Sequence, residues 1–253
     1  MNSRKPHSSP FGTTEIFDKI QALENQRKEF DRACYIVTHD LKSPLNTIRM
    51  ASEMILLKNK DKMDDKTESL MQIIETSTQN LERTINGLNR FCKCGQLKDS
   101  DFTLFTFDDI LKPNEVYNIP IRWSITSSTG IETIFGSKSA MTEVLHELAS
   151  NAVRYSSEAE VVIDVFLYPK NGRTEIILES NSSQIPSDQS TQIFEIFTTL
   201  NTLDRFETKG EGIGLAVARR LVQSIHGEIS HEPLRPRTAF KITLPSNPPA
   251  ISN

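Results

Sequence analysis

Apolar residues in the first third of the chain fall at Ile16, Ile20, Leu23, Phe30, Cys34, Val37, Leu41, Leu45, Ile48 and Ile55, mostly in steps of four and three. That spacing lays one apolar stripe along a helix and is the seam of a coiled coil or bundle. One seam position, Arg27, is charged, a defect that can set register. A second helix repeats the spacing through Leu70, Ile74, Ser77, Leu81, Ile85, Leu88 and Phe91. Between the two, "KNKDKMDDK" (Lys58 to Lys66) has charge but no apolar period and reads as a hairpin turn. Two helices leave much of such a stripe bare, and pairing two hairpins into a four-helix bundle is the economical cover.

After Gly95 the pattern shortens. Strands are predicted at Phe102–Phe107 and Ile121–Ile125, then a helix over Ser139–Tyr155. A β-hairpin follows with arms Val161–Tyr168 and Thr174–Leu178 and "PKNG" at its turn. A helix over Gly214–Ile225 precedes strands at Glu228–His231 and Ala239–Leu244. Helices on one face of a mixed sheet make an α+β sandwich. The expected fold class is therefore α plus α/β: a disordered lead over 1–13, a helical hairpin over 14–97, a sandwich domain over 98–246 and a tail over 247–253.

Composition narrows the setting. The 253 residues are 37% hydrophobic and 25% charged, with a net charge of −4, so nothing favours nucleic acid or an anionic membrane as partner. No apolar run approaches the roughly 20 residues of a membrane span. The opening "MNSRKPHSSPFGTT" lacks the apolar core of a signal peptide. Three cysteines, an odd number, fit a reducing cytoplasm better than a disulfide framework. Cys92 and Cys94 form a lone C-x-C that reads as two ordinary thiols.

Within "YIVTHDLKSPLNTI", Tyr35 to Ile48, His39 lies two residues from both Val37 and Leu41. At about 100° per residue that turns it away from the seam. Asp40 places a carboxylate beside the imidazole, able to hydrogen-bond the ring or handle a proton. Pro44 removes a main-chain donor and crowds the Asp40 carbonyl, so the backbone beside His39 is expected to bend or loosen.

Two further motifs lie in the sandwich. In "KGEGIGLAVARRLV" (Lys209 to Val222), Gly210, Gly212 and Gly214 alternate ahead of an amphipathic helix. Such glycines let amides close on phosphate oxygens, although turns and caps use glycine too. In "VLHELASNAVRYS" (Val144 to Ser156), Leu145, Leu148, Ala152 and Tyr155 face inward, while Glu147, Asn151 and Arg154 share an adjacent face. A carboxylate and an amide oxygen one turn apart can hold a hydrated Mg²⁺ against phosphates. A solvated helix face would look the same.

In this order and spacing the segments resemble the catalytic core of a sensor histidine kinase of two-component signalling, from about Glu24 to Leu244. "THDLKSPL" resembles the phosphoacceptor box, "HELASNAVRYS" the asparagine box, "IFEIF" the phenylalanine box and "KGEGIGLA" the second glycine box. The resemblance implies a dimerisation and phosphotransfer hairpin followed by an ATP-binding domain of the type shared with gyrase. It implies a homodimer that uses ATP and Mg²⁺ and phosphorylates a response-regulator receiver domain. His39 would accept the γ-phosphate, and Asp40 would orient it or take its proton. Asn151 would ligate Mg²⁺, with Glu147 at the position of the box's first asparagine. Arg154 would approach phosphate and Tyr155 would flank the adenine. Gly210, Gly212 and Gly214, with Ile213 and Leu215, would shape the phosphate loop and lid hinge.

The sequence also departs from that family. The first glycine box reads "ESNSSQIP", Glu179 to Pro186. Counting back from Ile185 puts Ser180 at the adenine-reading aspartate, with Ser182 and Gln184 in place of glycines; a one-residue deletion puts Asn181 there instead. Either exchanges a charged acceptor for a neutral one, which weakens nucleotide binding by about tenfold or more. Thr198 and Thr199 follow the phenylalanine box where an arginine is usual, leaving Arg205 or Lys209 as the phosphate-facing cation. The stretch between Phe107 and Ile121 is short for the domain's usual first helix. Ser43 stands four residues after His39, where the family's phosphatase activity favours Thr or Asn. No recognisable sensor module precedes the hairpin: either the chain is an excised core, or it takes its input from a separate sensor protein. The alternatives are a relay or pseudokinase that docks response regulators without using ATP, and an ATPase clamp in which Glu147 activates water.

Overall fold

The computed structural model describes residues 11–59, 63–94, 97–111, 115–127, 133–200, 203–233 and 237–246. Most of the expected lead, the middle of the hairpin turn and the tail from 247 lie outside these. The chain forms two compact units, one ending at Ile85 and the other beginning at Asn86.

The first unit holds α1 (Phe11–Asn59) and most of α2 (Asp65–Lys93). Asp64 starts α2 by accepting the Thr67 amide at 2.8 Å, and Asp65 and Glu68 add negative charge to its first turn. Helix α1 already begins at Phe11 and runs through Pro44 without interruption. The loosening expected beside His39 is thus a missing donor inside a continuous helix. The stripe read from the sequence stays bare: Phe30, Val37, Leu41, Ile48, Leu70 and Leu81 are each about half exposed. No described helix is long and apolar enough to cross a membrane.

The second unit is built on a six-stranded sheet in the order β2-β3-β5-β6-β8-β7. Its strands are β2 (Glu115–Val116), β3 (Ile119–Ser127), β5 (Val161–Lys170), β6 (Arg173–Ser180), β7 (Glu228–Pro233) and β8 (Thr238–Pro245). Only the β3/β5 pair is parallel. A separate antiparallel pair joins β1 (Phe102–Thr106) to β4 (Thr133–Ser137). Strict alternation buries Val161, Ile163, Val165 and Leu167 on β5, and Ile176 and Leu178 on β6. These share one core with Val144, Leu145, Leu148 and Ala152 of α3 (Lys138–Arg154) and Val217, Leu221 and Val222 of α4 (Gly214–Ser224).

Two strands escaped the sequence pattern. Strand β2 is two residues long, and β4 runs directly into α3, whose cap is Ser137. No helix forms in the described residues between Phe107 and Ile121. Phe107 and Ile110 are buried there, and the β2–β3 hairpin follows. Tyr117 and Asn118 both take positive φ, 53° and 59°, as a two-residue hairpin turn requires.

Candidate active site

In the first unit, His39 projects from α1 with its side chain 71% exposed, and its Nδ1 lies 3.1 Å from Asp40 Oδ1. With Nδ1–H donating to that carboxylate, Nε2 keeps its lone pair for an incoming electrophile. One turn on, the Ser43 carbonyl accepts the Thr47 hydroxyl at 3.1 Å.

In the second unit, α3 presents Glu147 and Asn151 one turn apart toward Gly214. A Cβ on Gly214 would sit 2.6 Å from Glu147 Oε2 and 4.0 Å from Asn151 Nδ2, so glycine lets the Glu147 carboxylate come this close without shifting. Likewise a Cβ on Gly210 would lie 2.8 Å from the Tyr155 hydroxyl. Gly212 has φ +68° and interlocks with the phenylalanine-box turn, where the Phe197 amide donates to its carbonyl at 2.7 Å. The alternating glycines therefore fold onto the polar face of α3. Ile213 is buried and Leu215 half-buried at the start of α4. Glu147 itself is almost fully buried and ion-paired with Arg90, from the last turns of α2.

Arg154 is committed to the loop ahead of the glycines. Its Nε donates to Asp204 Oδ2 at 2.7 Å, and Nη1 lies 3.4 Å from Glu211 Oε2. Burial pushes Asp204 up, but the Thr208 amide and hydroxyl, Arg154 and the Phe206 amide together hold it below the usual carboxylate value. Phe206 packs edge-on against Tyr117, with ring centroids 5.3 Å apart. Of the two alternative cations, Arg205 keeps a buried Nη1 without a partner among the described residues, while Lys209 is exposed.

At the far end of the site the Ser180 and Ser182 hydroxyls are buried and 2.8 Å apart. Asn181 turns away: its Oδ1 accepts the Val162 amide at 3.0 Å and its Nδ2 donates to the Glu160 carbonyl at 3.2 Å. Two residues on, Ser183 donates its amide to the Tyr155 carbonyl at 2.8 Å, tying this loop to the end of α3. Ile185 is half-buried just beyond. Thr238, the cross-strand partner of Ser180, is buried and donates to the Ser183 carbonyl at 2.8 Å.

Two family models match the chain. Residues 34–93 match the His Kinase A (phospho-acceptor) domain, and residues 136–248 match the histidine kinase-, DNA gyrase B- and HSP90-like ATPase. The chain belongs to the sensor histidine kinases, of which it carries the catalytic core. The kinase core is 25% identical over 224 residues to the sensor protein RprX of Bacteroides fragilis, covering 83% of this chain and 42% of that protein. It thus spans less than half the length of that relative. Solved structures share its fold. Histidine kinase ThkA, in complex with the response regulator TrrA, matches with TM-score 0.57 at 18% identity, over 88% of this chain and 65% of that one. Full-length ShkA in complex with AMPPNP matches with TM-score 0.56 at 18% identity, over 85% and 45%.

Several residues that shape the kinase core's site carry no sequence signal of their own. Arg90 sits in an ordinary helix end, Asp204 and Glu211 in a loop, Tyr117 on an unforeseen hairpin and Thr238 at a strand start. Only proximity in the fold marks them.

Proposed function

We propose that this core autophosphorylates His39 from ATP and passes the phosphoryl group to an aspartate of a response-regulator receiver domain. The observation that carries the reading is His39 itself: exposed, bonded at Nδ1 to Asp40, on a chain whose second unit brings the asparagine-box face and the glycine loop together. The Nε2 lone pair attacks the γ-phosphorus, the bond to the β,γ-bridging oxygen breaks and ADP leaves. Asp40 steadies the charge that develops on the ring through Nδ1–H. Such transfer depends on positioning and charge more than on covalent work by the protein.

Within the nucleotide site, Asn151 would hold Mg²⁺, with Glu147 beside it; hard oxygen donors one turn apart against the glycine loop suit that ion. Bound Mg²⁺ would supply charge neutralisation at the phosphates. Arg205, whose Nη1 has no hydrogen-bond partner among the described residues, is the less committed candidate for the phosphate cation, since Arg154 is engaged by Asp204 and Glu211. Tyr155 and Gly210 would flank the nucleotide, and Ser180, rather than the committed Asn181, would face its base. The ThkA complex with a response regulator and the ShkA complex with AMPPNP support partner and nucleotide by likeness. A homodimer would cover the bare stripe of α1 and α2.

The test is incubation with Mg²⁺ and γ-labelled ATP. Acid-labile, base-stable label that disappears in His39→Ala and moves to a receiver domain is expected. Nucleotide binding without label on the protein would overturn the kinase reading.

A further inference from the structure

The end of the proposed nucleotide site that would face the base carries hydroxyls where the family resemblance leads one to expect a carboxylate. Ser180 and Ser182 are 7% and 8% exposed, and their oxygens lie 2.8 Å apart. Among the described residues neither hydroxyl has another hydrogen-bond partner. One O–H of the pair must donate to the other oxygen, which leaves a second O–H and the remaining lone pairs unused. Buried polar groups with spare capacity are costly unless something else engages them.

Neighbouring groups cannot restore a fixed acceptor. Glu179 alternates to the opposite face of β6, where it lies 3.8 Å from Arg237. The Asn181 amide is bonded at both ends to the β5 edge, and the Thr238 hydroxyl donates to Ser183. The pair is nonetheless tied into the site, because Ser183 holds the Tyr155 carbonyl and the Tyr155 hydroxyl abuts Gly210.

A carboxylate only accepts. It matches the 6-amino donor of adenine and repels the O6 acceptor that guanine presents at the same place. Two coupled hydroxyls reverse their polarity by rotation, accepting from an amino group or donating to a carbonyl oxygen. We infer that the Ser180–Ser182 pair lets this site accept guanosine as well as adenosine triphosphate. The inference rests on the nucleotide-site reading proposed above and names its specificity. Discrimination in such sites arises chiefly when a wrong partner leaves a buried group unpaired, and at the 6 position a rotating hydroxyl pair leaves neither base's group unpaired.

Displacement of trinitrophenyl-ATP from the full chain with Mg²⁺, by ATP and separately by GTP, tests it. The two affinities are expected to agree within about threefold. In Ser180→Asp the ratio should swing toward ATP by about tenfold or more, as a charged acceptor replaces a neutral one. Ser182→Ala, which removes one rotor with a smaller change, should also widen the ratio. A wild-type preference for ATP of about tenfold or more overturns the inference while leaving the nucleotide site standing, as does an unchanged ratio in a folded Ser180→Asp. Failure of ATP itself to displace the probe overturns the nucleotide site and this inference together.

Discussion

Arg90, near the end of α2, is ion-paired with Glu147, which lies 57 residues later at the centre of the asparagine-box helix. Glu147 is almost completely buried while Arg90 is half exposed. Removing the arginine therefore strands a buried carboxylate. Arg90→Ala should lower the stability of the second unit by roughly 1–2 kcal/mol, less than for a fully buried pair because water still reaches the guanidinium site. Urea unfolding should show Glu147→Gln recovering much of that loss in the double variant. Additive losses in the double-mutant cycle would mean that the pair contributes nothing.

Asp204 folds its loop onto α3 through Arg154, Thr208 and the Phe206 amide. Its folded pKa lies below the usual carboxylate value, so the stabilisation is complete above the unfolded pKa and is lost as pH falls through the folded pKa. Asp204→Asn should destabilise the unit by about 1–3 kcal/mol near neutral pH. It should also flatten the acid limb of the unfolding midpoint. An unaltered acid limb would place the titration elsewhere.

Three glycines should respond to alanine in graded fashion. At Gly136 the nearest atom to a new Cβ is 3.8 Å away, so the substitution should be close to neutral. Gly172 has φ +74° with open space around it, and backbone strain alone should cost about 1 kcal/mol. Gly212 combines φ +68° with a Cβ that would meet the Thr198 carbonyl oxygen at 2.5 Å. Gly212→Ala should disrupt the loop and abolish nucleotide binding, read by thermal unfolding and nucleotide displacement. Equal shifts in all three would contradict the geometry.

The cysteines should separate by reactivity. Cys92 and Cys94 are buried, and burial, with Glu143 nearby, pushes the Cys94 thiol up to about 12. Cys34 is half-buried. In the native protein at mildly alkaline pH, Cys92 and Cys94 should react with a maleimide only after unfolding. Peptide mapping that finds Cys94 labelled first would refute this.

The sequence by itself determined what short-range geometry controls. A period near 3.6 residues fixed the stripes of α1 and α2, and the same rotation turned His39 outward. It also put Glu147 and Asn151 on one face of α3, and alternation fixed which residues of β5 and β6 enter the core. Tertiary structure decided which partners those residues meet. Asn181 bonds to the β5 edge and leaves Ser180 facing inward, because β6 ends in register with β5 and β8. Arg154 faces Asp204 and Glu211, because the loop that carries them returns to the end of α3. Glu147 meets Arg90, because the end of α2 belongs to the second unit. Contacts made across 50 or more residues leave no periodic trace in the chain; they exist only once the sheet register and helix docking are set.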